Sequence, residues 1–220
     1  MKTRLVAAVM LGVVSVSAAP SHAQLDLFAG LEGGYLKSTF DYGAPLPEWD
    51  VGSNDGFTAG ITVELRTPSR IGIVGGFRFV RYTNHVDFES DIVSIKGYFE
   101  VTQDYVSWPL YLKYLPFSDF GWFILGGGEL GFLVSADQES KSMFYGTPDT
   151  TITMDNDIID RMERTNIALL VGGGYEFALG SHTVILQARY NYGLVGTAEE
   201  KDWLSDWKIR AVEIIAGFAW

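Results

Sequence analysis

Nine charged residues stand at alternate positions inside stretches that are otherwise apolar or glycine-rich: Glu32, Glu64, Arg66, Arg78, Lys113, Glu129, Glu176, Arg189 and Glu213. Held together in an enclosed space, five acids and four bases suit either an ion gate or proton path, or a plug of paired charges. Their positions sort into a middle layer (Glu32, Arg78, Glu129, Arg189, Glu213) and a lower layer (Glu64, Arg66, Lys113, Glu176). Arg189 and Glu213, on neighbouring stretches, are the first pair expected. An enclosure just wide enough to be filled by side chains makes the plug the expected outcome.

Candidates for catalysis are fewer. Beyond residue 23 the histidines are His85 and His182. His85 with Asp87 and Ser90 forms a local acid, base and hydroxyl constellation, whereas His182 follows a tight turn at the other end of the fold. Set at opposite ends of a band about 25 Å tall, the two cannot share a site. Asp155, Asp157, Asp160 and Glu163 offer oxygen ligands to a divalent cation, but they lack the glycine and ligand order of an EF-hand loop. A solvated acidic loop is the expectation. No catalytic residue, metal site or cofactor is assigned, and the chain is expected not to be an enzyme.

The elements that must position the charged set read as eight strands. Strand one, about Leu25 to Thr39, puts Leu27, Leu31 and Tyr35 on one face and Glu32 on the other. Strand two alternates most cleanly, Phe57, Ala59, Ile61, Val63 and Leu65 against Thr58, Gly60, Thr62, Glu64 and Arg66. Strand three follows from Ile71, strand four runs about Phe99 to Tyr114, and strand five starts at Trp122. Strand six runs about Asn166 to Phe177, strand seven from Val184 to Leu194, and strand eight from Trp207 to Trp220. Pro109 lacks a ladder donor, so a bulge is expected there. The glycine triplets Gly126 to Gly128 and Gly172 to Gly174 fall within strands and are expected to relieve crowding or allow curvature.

Connections after strands two, four and six are short. Those after strands one, three, five and seven are long, spanning about Phe40 to Asp55, Thr83 to Tyr98, Ser135 to Arg164 and Gly196 to Ser205. The segment from Asp157 to Glu163 suits one or two turns of helix or a strand extension, and both remain open. Short and long connections alternate as in barrels with brief periplasmic turns and long external loops.

Composition agrees. The hydrophobic content is 47% with 14% aromatics, yet beyond the first residues no uninterrupted apolar run approaches a spanning helix. Apolar residues spread through alternating strands span a membrane only as a closed barrel, because lipid leaves an open strand edge without partners. Lys2 and Arg4, the apolar run Leu5 to Val16 and the small residues up to Ala23 have the order of a secretory signal. Residues 1–23 are therefore expected to be removed, leaving 24–220 as one barrel domain. Their loss takes away two positive charges and no negative ones, moving the net charge from −11 to −13. That balance argues against a nucleic-acid partner. No cysteine is present, so the fold holds without disulfides.

Outward aromatics sort by height. Tyr114, Trp122, Phe177 and Trp220 fall near the short-turn ends, and Tyr35, Phe57, Phe132 and Tyr192 near the long-loop ends. Two such girdles suit two lipid interfaces. Near the outer rim, Lys37, Arg81, Lys208 and Arg210 are candidate contacts for lipopolysaccharide phosphates.

The stretches AGLEGGY (Ala29 to Tyr35), SWPLYLKY (Ser107 to Tyr114), LGGGELGF (Leu125 to Phe132) and VGGGYEF (Val171 to Phe177) resemble strands of small eight-stranded outer-membrane barrels of the PorT-like, OmpX-like and OmpA-type group. That resemblance covers almost the whole chain beyond residue 23. It implies an all-β, antiparallel, up-and-down transmembrane barrel in a bacterial outer membrane, integral and non-enzymatic. The terminal aromatic strand also resembles the signal by which the barrel-assembly machinery recognises such chains. With the chain ending at Trp220, no C-terminal peptidoglycan-binding domain is expected. A monomer is expected, with both termini periplasmic, long loops outside, and lipopolysaccharide or an envelope protein as partner. The competing readings are a narrow conduit for small hydrophobic molecules, a lipid-modifying barrel enzyme and a soluble lipocalin-like binder.

Overall fold

A computed structural model describes residues 25–41, 49–90, 95–117, 121–144, 150–196 and 207–220. Among these residues the strands are β1 (Asp26–Asp41), β2 (Trp49–Arg66), β3 (Ile71–Ser90), β4 (Ile95–Tyr114), β5 (Trp122–Phe144), β6 (Thr150–Asp157), β7 (Thr165–Leu179), β8 (His182–Gly193) and β9 (Lys208–Ala219). All pairings are antiparallel. Eight strands form a ring, β1-β2-β3-β4-β5-β7-β8-β9, closed by pairing of β1 with β9 from Gly30↔Ala219 to Asp41↔Lys208. Closure gives every strand in the ring a partner on both sides, so lipid meets no open edge there.

Outside the ring, β6 folds back on the far part of β5, from Asp137↔Asp157 to Phe144↔Thr150. A single 3₁₀ turn, Ile159–Arg161, then leads into β7. Of the segment from Asp157 to Glu163, Asp157 is the last residue of β6 and Ile159–Arg161 form the 3₁₀ turn. Much of what reads as long loop is strand. β3 and β4 stay paired as far as Ser90↔Ile95, and β5 continues to Phe144. Most of the fourth long connection, from residue 197, lies outside the described residues.

The expected bulge at Pro109 is absent. The ladder to β5 runs through Pro109↔Glu129 without a shift, and the same register resumes on the β3 side after a gap between Gly75↔Leu110 and Arg78↔Ser107. Proline therefore costs ladder pairs on one side only. The register shift falls instead at Asp104/Tyr105 against β5, with another at Ser53/Phe57 between β2 and β3.

At one end of the ring lie the short turns, here called the short-turn rim; the β3–β4 and β5–β6 hairpins rise from the other, the hairpin rim. The turn from Thr67 to Arg70 places Arg70 at φ 64, and the β7–β8 turn places Gly180 at φ 65. For an L-residue other than glycine that conformation costs about 1–2 kcal/mol. Crowding explains the triplets. A Cβ at Gly127 would lie 2.3 Å from the Leu110 carbonyl oxygen and one at Gly172 2.3 Å from that of Ala188, whereas at Gly126 the nearest atom is 3.9 Å away.

Candidate functional site

The lumen holds the charged set in two layers. Near the short-turn rim, Arg66 Nε donates to Glu64 Oε1 at 2.6 Å and its NH2 to Glu176 Oε1 at 2.9 Å. Lys113 Nζ donates to Glu64 Oε2 at 2.9 Å and also to Glu176. Two acids and two bases are thereby cross-linked from β2, β4 and β7. Both cations also stack on rings, Arg66 over Phe28 at 4.7 Å and Lys113 over Phe123 at 4.6 Å, contacts that favour a desolvated cation.

One level up, Arg78 is the hub. Its NH1 donates to Glu213 Oε2 at 2.6 Å and its NH2 to Glu213 Oε1 at 3.1 Å, and the NH2 also reaches Glu129. Arg189 makes the second half of the layer, donating to Glu32 Oε2 at 2.7 Å and to the Tyr111 hydroxyl at 3.0 Å. Gln187 adds a 3.3 Å bond to Glu32. Arg78, Arg189 and Glu213 are each no more than 2% exposed. Charges so far from water persist only when paired and hydrogen-bonded.

The pair expected first does not form. Arg189 and Glu213 are register partners on β8 and β9, yet each turns away, Arg189 to Glu32 on β1 and Glu213 to Arg78 across the lumen. Alternation gives a side chain's face and height, not the direction in which a long side chain bends.

Above the middle layer the lumen changes character, and nothing in the strand reading anticipated it. Tyr82 and Tyr105 meet edge to face at 5.8 Å, and Asn191 Nδ2 donates to the Tyr82 hydroxyl at 3.2 Å. Over them lies an apolar core built from Leu36, Phe40, Val86, Phe99, Trp207 and Ile209, roofed by Ile158 and Met162 from the segment after β6. Trp207 packs on Phe40 at 5.1 Å and on Phe99 at 6.2 Å. The signal was present: Arg78, Val80, Tyr82 and Val86 continue the lumen-facing phase of β3 beyond the charges.

The remaining candidates separate. His85 Nε2 lies 3.3 Å from Asp87 and its Nδ1 3.9 Å from Glu100, and the ring lies against Tyr98 at 5.0 Å. The Ser90 side chain lies outside the described residues. His182 sits at the opposite rim against Phe218 at 5.0 Å. Asp155 and Asp157 lie along β6 and are exposed, and Asp160 is tied to Arg164 at 3.1 Å. Among the described residues no group of three or more acidic, histidine or cysteine side chains is placed to hold a metal ion.

At the hairpin rim, Arg81 is held in a two-point contact by Asp104 at 2.7 and 2.6 Å. Arg210 donates from Nε to Asp41 at 2.7 Å and lies over the Tyr192 ring at 3.8 Å. Among the described residues Lys37 and Lys208 have no carboxylate within 4 Å. Lys37 and Arg210 share an outward groove of about 460 Å³ walled by Tyr35, Tyr190, Val212 and Ile214.

A family model, described as an outer membrane protein beta-barrel domain, matches residues 15–199. The chain belongs to this outer-membrane barrel family. No curated protein matches it. Among solved structures, Ail of Yersinia pestis in complex with the heparin analogue sucrose octasulfate is similar at 17% identity and a TM-score of 0.38, over 89% of this chain and 99% of that one. The Neisserial surface protein A is similar at 15% identity and 0.41, over 89% and 97%. OprG from Pseudomonas aeruginosa is similar at 14% identity and 0.43, over 87% and 94%.

Membership in a bacterial outer-membrane barrel family accounts for the outer face. Leu31, Ile61, Phe77, Val171 and Ile214 are each more than half exposed, an arrangement that water would penalise and lipid does not. The expected interface aromatics Tyr35, Phe57, Tyr114, Trp122, Phe132, Phe177 and Trp220 are likewise outward and exposed, and Tyr192 is half-buried beneath Arg210. Among the described residues, outward charge collects just beyond the hairpin-side aromatics, at Lys37, Asp55, Arg81 and Arg210.

Proposed function

We propose that the protein is a non-enzymatic, monomeric outer-membrane barrel with a plugged lumen, working through its hairpin rim on lipopolysaccharide or an envelope partner. The observation that carries the plug is the lumen itself. Two cross-linked charge layers lie under an apolar core, so any solute would have to break paired, desolvated charges, and removing one member of such a pair costs about 3–5 kcal/mol.

For lipopolysaccharide the support is the groove shared by Lys37 and Arg210. Cations at its edge suit phosphate and the apolar wall suits an acyl chain; Arg81 and Lys208 would add charge around the same rim. Residues 1–23 would act as a removable signal, the short-turn rim and both termini would face the periplasm, and the terminal strand would engage the barrel-assembly machinery. Single-cysteine labelling on intact cells tests the orientation: Ser140→Cys on the hairpin should label with an impermeant reagent and Ser69→Cys should not. Lipopolysaccharide titration tests the groove, where Lys37→Glu should weaken binding about tenfold and unchanged binding would remove the assignment.

The apolar upper core favours a second reading, a conduit for small hydrophobic molecules. It requires the roof of Ile158 and Met162 to open and a lateral exit above the charge layers.

A further inference from the structure

Among the described residues, two have backbone φ angles in the left-handed region, and both sit in turns at the short-turn rim: Gly180 at φ 65 and Arg70 at φ 64. Glycine is the residue that conformation favours. Arginine is not. The turn's own hydrogen bonds do not ask for a side chain, since Arg70 N donates to the Thr67 carbonyl at 2.9 Å and its carbonyl accepts from Leu115 N at 3.1 Å. A glycine would keep both.

What arginine adds is a cation in a particular place. Arg70 is exposed, and among the described residues no carboxylate lies within 4 Å of it. It lines a groove of about 570 Å³ that crosses the rim from Arg66 and Glu176, at the floor of the lumen, to the outward rings of Tyr175 and Phe177 and to Phe117. Phe117 and Phe177 are exposed. Glu176 is the carboxylate in this lining, and its charge is already met by Arg66 and Lys113. Among the described residues the groove thus offers a guanidinium with no carboxylate partner, beside an aromatic wall of Phe117, Tyr175 and Phe177.

We propose that Arg70 and this groove form a binding site for an anionic phospholipid of the adjoining leaflet, the phosphate on Arg70 and the acyl chains along Phe117, Tyr175 and Phe177. A guanidinium binds phosphate through two parallel charge-assisted bonds, and aromatic rings at that depth suit the glycerol and upper chain region. On the orientation proposed above, that leaflet is the inner one. Lipid binding in detergent does not depend on orientation, so the two readings fail separately.

The test is native mass spectrometry of the protein folded in detergent, titrated with phosphatidylglycerol, phosphatidylcholine or inorganic phosphate, together with thermal unfolding of each variant. Phosphatidylglycerol should form a first adduct in preference to phosphatidylcholine, and excess inorganic phosphate should not displace it. Arg70→Gly should weaken that adduct about tenfold while unfolding at the same temperature or higher, because the backbone strain is relieved. Arg70→Lys should keep the preference for phosphatidylglycerol but bind more weakly than the parent, because it keeps the charge and loses the paired bonds. Unchanged phosphatidylglycerol affinity in Arg70→Gly, equal affinity for the two lipids, displacement by phosphate, or a lower unfolding temperature in Arg70→Gly would each overturn the proposal.

Discussion

Arg189 and Glu213 stand opposite each other on adjacent strands, and each bonds to a different partner: Arg189 to Glu32 at 2.7 Å, and Glu213 to Arg78 at 2.6 Å. The layer is thus stitched across the lumen rather than along the sheet. A double-mutant cycle in reversible urea unfolding should give a larger coupling for Arg78 with Glu213 than for Arg189 with Glu213. Glu213→Ala alone should cost about 3–5 kcal/mol, the usual cost of stranding a buried charge. A larger coupling for the adjacent pair would mean that the layer is wired along β8 and β9.

Ile61 lies on the outer face, next in sequence to Gly60, whose partner is Arg78 in the middle charge layer. Leu27, also outward, pairs with Leu65 beside the short-turn rim. Ile61→Arg should therefore destabilise the barrel in lipid vesicles by about 2–4 kcal/mol and Leu27→Arg by about 0–1 kcal/mol, following depth in the bilayer. Equal costs, measured by urea titration in vesicles, would contradict the assigned lipid belt.

Trp207 is 2% exposed and fills the upper lumen between Phe40 and Phe99. If that region is core, Trp207→Ala should cost about 3–5 kcal/mol of unfolding free energy. A chamber built to receive a hydrophobic cargo would tolerate the change, and stability within about 0.5 kcal/mol of the parent would favour that reading.

The ring of strands was legible because each ring strand meets lipid on one face and a packed lumen on the other, which imposes a period of two from Leu27 in β1 to Phe218 in β9. Face and height of the nine charged residues came with that period. Their partners did not, since arginine spans enough distance to choose between neighbours, as Arg189 does. Beyond the hairpin-side aromatics the pattern fails for two physical reasons. Both faces of the β5–β6 hairpin are exposed or half-exposed, so alternation fades. The register shift at Asp104/Tyr105 also moves β5 by one residue, so that Leu133 and then Ala136 are the buried positions. A single period read through that stretch ends early, and Ser135 onward reads as loop.

Under the proposed function, Arg78, Arg189 and Lys113, bonded to five carboxylates together with Arg66, close the lumen. Single-channel recording in planar bilayers tests it most directly. The parent protein should show no persistent openings under applied potential, and the combined variant Arg78→Ala, Arg189→Ala should show them if it remains folded by heat-dependent gel mobility. Steady conductance in the parent, abolished by altering Arg189 or Glu213, would contradict the plug and make the charge layers a gate.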